Sequence, residues 1–297
     1  MRECPKNYLR FLVDLNIKMM NFYNETSLAC SKLITNAYST SFSMGIKAFD
    51  KALHEPIYAI YGFVRYADEI VDTFHDYDKQ ALITRFKADT FQAIEEGISL
   101  NPVLQSFQWV VNQYHIEHAF ITAFFDSMEM DLYKTKFTQE EYETYIYGSA
   151  EVIGLMCLRV FCAENRAEFD VLAPFAKRLG SAFQKINFLR DIASDFEERG
   201  RVYFPDVRFE AFSEVEKQAI EQDIAQEFAD GLEGIKNLPE GCKKGVYLAY
   251  VYYTQLFEKI KQTPASVLRT TRIRVSDAKK IWLMAQSLVK VKFNTLS

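Results

Sequence analysis

Glycine and proline are scarce in this chain, at 11 and 7 of 297 residues. So few breakers over that length argue against many short strands and tight turns, and favour long helices. Cysteine is scarce too. Cys4, Cys30, Cys157, Cys162 and Cys242 form an odd set with no CxxC pair. That argues against a disulfide framework or a zinc site and fits a reducing, cytoplasmic setting. Positive charge is not in excess: the net charge is -5, so no nucleic-acid partner is expected. No apolar run approaches 18 residues, so no transmembrane helix is expected either. The N-terminal run at 11–17 is broken by Asp14 and flanked by Arg10 and Lys18, unlike the core of a signal peptide. Met19 and Met20 could serve as alternative starts. Residues 1–24 are therefore read as a loosely attached extension of one domain spanning 1–297.

Aromatic residues, by contrast, are plentiful: 25 Phe and 17 Tyr, with Trp bringing the share to 15%. Two readings fit, a Phe-rich helical core or a large apolar pocket with aromatic walls. The pattern predicts an all-α single domain, with no alternating segment long enough to form a sheet. Helices are expected over about 25–38, from Pro56 in a first turn to 73, and over 78–97, 103–115, 117–133, 139–163, 168–194, 213–236, 240–262 and 275–293. The segment 38–43 is expected to be a break, and 197–205 a loop.

Two helical stripes carry the chemistry. One is Tyr61, Arg65, Asp68 and Asp72 in YGFVRYADEIVD; the other is Gln184, Asn187, Asp191 and Asp195 in QKINFLRDIASDFEERGRVYFP. Residues three, four, seven and eleven apart share one side of a helix. Each stripe is thus a column of acids and polar groups among apolar residues. Two facing columns would concentrate negative charge, which is costly unless divalent cations neutralise it. Mg²⁺ takes oxygen ligands and shares its shell with substrate phosphates. Arg65 and Arg190 lie beside the acids, and arginine grips phosphate in a bidentate fork. The competing reading, a surface ion pair, suits one DxxxD better than two such columns. A diphosphate leaving an allylic group would produce a carbocation, and a dry aromatic pocket shelters such a species. No GxGxxG, P-loop, GxSxG or HExxH motif offers another chemistry; His115, Glu117 and His118 have the wrong spacing for the last.

The two strings resemble the paired signature motifs of the squalene/phytoene synthase family, and the resemblance extends over about 31–292. It implies the all-α isoprenoid synthase fold, a helical bundle around a central apolar cavity, and head-to-head joining of two prenyl diphosphates. It implies Asp68, Asp72, Asp191 and Asp195 as catalytic metal ligands, joined by Asn187. It implies Gln184, Arg65, Arg190 and Tyr61 as substrate-binding, with Tyr147 in YGSAEVIG as a catalytic tyrosine. Ser39, Thr40 and Ser41 in YSTSF match a substrate-binding segment, where Thr40 replaces a basic residue. Arg201 and Tyr203 match a flap-like segment, preceded here by acidic Glu197 and Glu198, and Tyr253 and Arg272 match later diphosphate contacts. Glu151 stands where the family has glycine. Tyr61, Tyr147 and Tyr253 also suit core positions, and Ser39 and Ser41 also suit helix caps.

The resemblance points to Mg²⁺-dependent (or Mn²⁺-dependent) conversion of two geranylgeranyl diphosphates to phytoene through prephytoene diphosphate. The alternative is a farnesyl diphosphate enzyme making dehydrosqualene, or squalene with NADPH as a further cofactor. A remote alternative is a non-catalytic binding relative, against which the four intact aspartates argue. Ile46, shortly after YSTSF, is expected to floor the chain pocket. The apolar product fits a cytoplasmic enzyme peripheral to the membrane, although no amphipathic anchor stands out.

Overall fold

Residues 6–163 and 165–273 are described by the computed structural model, with 6–18 and Ser41 described by backbone alone. Among them helix follows helix. α1 runs Lys6–Tyr38, well before the expected start near 25, because neither glycine nor proline occurs between 6 and 44. The expected break over 38–43 shrinks to one residue. Ser39 is extended, and its side chain accepts from the Phe42 N–H to cap α2, Thr40–Lys47. α3 spans Lys51–Asp72, so Pro56 lies beyond the first turn rather than within it. Its ring therefore removes an intrahelical bond that the Ala52 carbonyl would otherwise accept.

α4, Lys79–Glu96, is capped by Asp78 and closed by Gly97 in the left-handed conformation. α5, Pro102–Tyr114, begins with its proline behind the Asn101 cap. α6 is His118–Tyr133. The expected continuous helix over 139–163 is interrupted. α7, Gln139–Ile146, passes through a π-helical turn, Tyr147–Glu151, into α8, Val152–Cys162. A Cβ on Gly148 would sit 2.2 Å from the Ala123 carbonyl oxygen, so glycine lets the π turn press against α6. α9 runs Arg166–Arg199 and holds Pro174 inside it, as the expected span 168–194 also does. It also swallows the first residues of the expected 197–205 loop and stops only at left-handed Gly200. A 3₁₀ turn, α10 (Glu214–Lys236), α11 (Glu240–Lys261) and short α12 (Ala265–Leu268) complete the described chain. The helix expected over 275–293 lies outside the described residues.

The stretch Gln139–Cys162 is long and apolar enough to cross a membrane by composition, contrary to expectation. It is half-buried within the bundle, with α8 packed on α3, α6 and α9, as a core helix is.

Two hydrophobic clusters form. One joins side chains of α3–α6 and α8, centred on Phe63, whose ring stacks on Phe107 at 3.8 Å, with Phe124 and Phe125 beside it. The other joins α7–α12 and centres on Phe188, Tyr203 and Phe204. Each fully buried Phe contributes about 1.5–3 kcal/mol. A cavity of about 600 Å³ lies between the clusters and is lined from both.

Candidate active site

α3 and α9 form two walls of this cavity. Tyr61, Arg65, Asp68 and Asp72 line it from α3; Gln184, Asn187, Arg190, Asp191 and Asp195 line it from α9. Away from these acids the lining is apolar: Ile46, Ile57, Ile60, Phe49, Cys157 and Phe183 are among its side chains. Both aromatic readings hold, at different places. The Phe63 cluster is core, whereas Phe42 stacked on Tyr61 (4.6 Å) and Phe183 stacked on Tyr253 (4.0 Å) face the cavity.

Each aspartate has an arginine partner. Arg65 lies 3.8 Å from Asp68 and is ion-paired with Glu69, while its guanidinium stacks over the Tyr38 ring at 4.4 Å. Its buried Nε has no hydrogen-bond partner. Asp191 is gripped twice, by Arg190 at 2.5 Å and Arg272 at 2.7 Å. Arg199 reaches Asp72 at 3.1 Å and Asp195 at 3.9 Å. Along α9, Tyr253 donates to the Asn187 side-chain oxygen (3.3 Å), the Asn187 amide donates to Gln184 (3.4 Å), and Gln184 donates to Ser149 (3.4 Å).

Crowding shows in proton affinity. Burial, with the charge of Asp72 second, pushes the Asp68 carboxyl up to about 7. Burial, then the charge of Asp191, pushes Asp195 up to about 7. The column therefore favours protons or cations over bare charge. Among the described residues no three acidic, His or Cys side chains converge as a ready cage for one metal.

Several expected site residues sit elsewhere. Tyr147 does not line the cavity: its ring lies 5.1 Å from the Lys177 ammonium. Tyr145, two residues earlier and so on the opposite side of the helix, faces the cavity instead, donating to Asp131 at 2.8 Å. Arg201 is buried and does not line the cavity. It pairs with Asp131 at 2.7 Å and donates to Tyr203 and to the Asp131 and Lys134 carbonyls. All three of its guanidinium nitrogens are engaged within the fold. Ser39 caps α2, Thr40 is exposed, and the Ser41 side chain lies outside the described residues. Arg272 is half-exposed and touches Asp191 from outside the lining. Tyr203 and Tyr253 do line the cavity.

Three cavity residues escaped the sequence reading: Asp131, Tyr145 and Arg199. Asp131 had a signal. It lies seven residues after Phe124 and four after Ser127, on the buried face of α6, whereas Asp126 and Glu129 pair with Lys87 on another side. Its carboxyl is pushed up to about 6 by burial, against the pull of Arg201.

Residues 35–279 match the family model described as squalene/phytoene synthase. A 15-cis-phytoene synthase of Synechocystis is 28% identical over 305 aligned positions, covering 89% of this chain and 87% of that protein. A 4,4'-diapophytoene synthase of Staphylococcus haemolyticus is 26% identical over 206 positions, 69% of this chain and 70% of the other. Among solved structures, a dehydrosqualene synthase bound to a ligand superposes with TM-score 0.79 over 91% of this chain and 98% of its own, at 21% identity. With the paired acid columns facing one apolar cavity and the family model spanning most of its length, the chain belongs to the squalene/phytoene synthase family.

Proposed function

We propose that the chain condenses two geranylgeranyl diphosphates to prephytoene diphosphate and rearranges that intermediate to phytoene, releasing diphosphate at each stage. The observation that carries this reading is the pairing of four aspartates and their arginines with an apolar cavity between α3 and α9. Two relatives point to different chain lengths: the Synechocystis protein is named for phytoene, the Staphylococcus one for diapophytoene. Phytoene is preferred because Ile46, wholly buried on the cavity wall, takes less room than an aromatic ring there. A farnesyl diphosphate enzyme making dehydrosqualene or squalene is the second reading.

The donor set suits Mg²⁺ or Mn²⁺. Carboxylates that resist bare ionisation gain most from a hard cation, and Asn187 offers a neutral oxygen beside Asp191. A cation shared with substrate phosphates needs only one or two carboxylates from the protein, so the lack of a closed cage fits. When bound, the metal would supply charge neutralisation that makes diphosphate a better leaving group. The chain's own residues do the rest. Arg65 and Arg190 offer forked donors to phosphate oxygens. The apolar lining excludes water that would capture a carbocation. Cys157, the thiol in that lining, is pushed up to about 12 by burial, so it presents no thiolate there. Tyr145 and Tyr203 donate their hydroxyls to Asp131, whose carboxyl is the proton-accepting group held at the same cavity.

Two expectations follow. In Ile46→Phe the ratio of kcat/KM for the C20 over the C15 substrate falls roughly tenfold or more, the scale on which one pocket side chain discriminates; an unchanged ratio in competition assays would remove Ile46 from the pocket floor. The second concerns pH. Asp68 and Asp195 have folded pKa values of about 7, above an ordinary 3.8. Between those values the folded state holds protons that the unfolded chain has lost, so stability falls as pH rises towards 8. The metal-free protein should therefore melt higher near pH 5.5 than at pH 8, by roughly 2–4 °C per kcal/mol relieved. Asp68→Asn should flatten that difference, and a melting profile with the opposite slope in both proteins would refute the crowding.

Product analysis by mass spectrometry decides the chain length. Phytoene from geranylgeranyl diphosphate, in preference to a C30 product from farnesyl diphosphate, is the expected result with or without NADPH. A C30 hydrocarbon as the dominant product would overturn the phytoene assignment and favour the second reading.

A further inference from the structure

Among the described residues, one ion pair joins the two acid walls directly. Arg199, in the last turn of α9, places one guanidinium nitrogen 3.1 Å from Asp72 of α3 and another 3.9 Å from Asp195 of its own helix. These are the outermost acids of the two columns. Gly200 stops the helix immediately after Arg199 in a left-handed conformation. The Arg199 side chain is about one-quarter exposed and lines the cavity. Its neighbour Arg201 is different: buried, off the cavity lining, and engaged through all three nitrogens with Asp131, Tyr203 and two carbonyls. Arg199 makes only the two carboxylate pairs, and water competes for the one with Asp72, whose side chain is about one-third exposed.

We propose that Arg199 is a built-in stand-in cation: it holds Asp72 and Asp195 together while the site is empty, must leave them when a divalent cation arrives, and then binds the diphosphate. A guanidinium cannot stay between carboxylates that coordinate a metal, since like charges repel at that range. Freed at the cavity edge, its five N–H donors match phosphate oxygens better than a single carboxylate. Arg199 thereby opposes metal binding alone and favours metal arriving together with diphosphate. The consequence is ordered loading, in which the acid walls take up metal tightly only when a phosphate is present to receive the arginine. This inference rests on the diphosphate–metal reading above.

The test compares wild type with Arg199→Gln and Arg199→Lys, using Mn²⁺ and inorganic diphosphate as probes. Free Mn²⁺ is followed by electron paramagnetic resonance during titration. Without diphosphate, Arg199→Gln should bind Mn²⁺ roughly three- to fivefold more tightly, the scale of one partly exposed ion pair. With Mn²⁺ present, its affinity for inorganic diphosphate by calorimetry should fall roughly tenfold or more, the scale of a lost charge-assisted contact. Arg199→Lys should lie between the two on both measurements, because ammonium keeps the charge but loses the fork. A glutamine variant that matches wild type in both titrations overturns the proposal, as does one that binds Mn²⁺ more weakly. Wild-type protein that binds neither Mn²⁺ nor diphosphate would instead sink the functional reading on which the inference stands. Circular dichroism on each variant separates these outcomes from unfolding.

Discussion

Asp191→Ala should reduce diphosphate release on the order of 10³-fold, the scale of removing one preorganised group that handles developing charge. Asp191 stands out because two arginines converge on it, Arg190 at 2.5 Å and Arg272 at 2.7 Å. Its removal costs a metal-facing carboxylate and also releases both guanidiniums from the position they share. The fold should survive. The side chain is partly exposed, and burial of α9 depends on other residues such as Ile186, Leu189 and Ile192. Helical circular dichroism close to wild type, together with lost release of labelled diphosphate, is the expected pair of results. Near-normal turnover would remove Asp191 from the metal set, and Asp68→Ala should reproduce the loss from the opposite wall.

Arg201→Met should instead damage stability, by about 3–5 kcal/mol, the cost of leaving a buried partner charge uncompensated. Both members of the Arg201–Asp131 pair are buried, with side chains 6% and 7% exposed. Arg201 also ties the segment after α9 to the end of α6 through the Asp131 and Lys134 carbonyls. That tie runs alongside the contact of Val202 with the α6–α7 loop, where the Val202 N–H donates to the Thr135 carbonyl at 3.1 Å. Tyr203 is seated by the same network, donating to Asp131 and stacking on Phe188 at 4.0 Å. Urea denaturation measures the effect directly. A variant as stable as wild type but with raised KM would restore the substrate-binding role that the sequence suggested for Arg201.

The two predictions divide neighbouring residues between chemistry and scaffold, and the sequence could make that division only in part. The acid columns were legible because a helical period of 3.6 places Asp68 with Asp72, and Asp191 with Asp195, whatever the tertiary fold does. Facing the columns across a cavity required the family pattern. Helix ends were legible where capping chemistry is strong, as at Pro102 behind Asn101 and at Ser213 with Glu216. The start of α3 was misread, since Pro56 lies past its first turn. Tyr145 and Tyr147 lie two residues apart, on opposite sides of the helix, and which side meets the cavity is set by packing rather than by composition. Arg199 and Arg201 share one short segment, and only their surroundings distinguish them. Arg201 is saturated by carbonyls from a helix some seventy residues earlier, a contact that no local pattern reports.

Chain length belongs to the same class of question. It depends on which side chains bound the apolar part of the cavity, whose lining includes Ile46, Phe49 and Phe161 from α2, the α2–α3 link and α8. A Cβ on Gly245 of α11 would fall 2.1 Å from the Phe49 ring, so glycine there lets Phe49 take up its position. Such convergence is set by packing rather than by any motif.

Release of diphosphate from labelled geranylgeranyl diphosphate by the purified protein, with Mg²⁺ and again with a chelator, tests the central claim most directly. The account predicts release that needs the divalent cation and disappears in Asp191→Ala. Absence of release from both geranylgeranyl and farnesyl diphosphate, in a protein whose helical spectrum is intact, would contradict it.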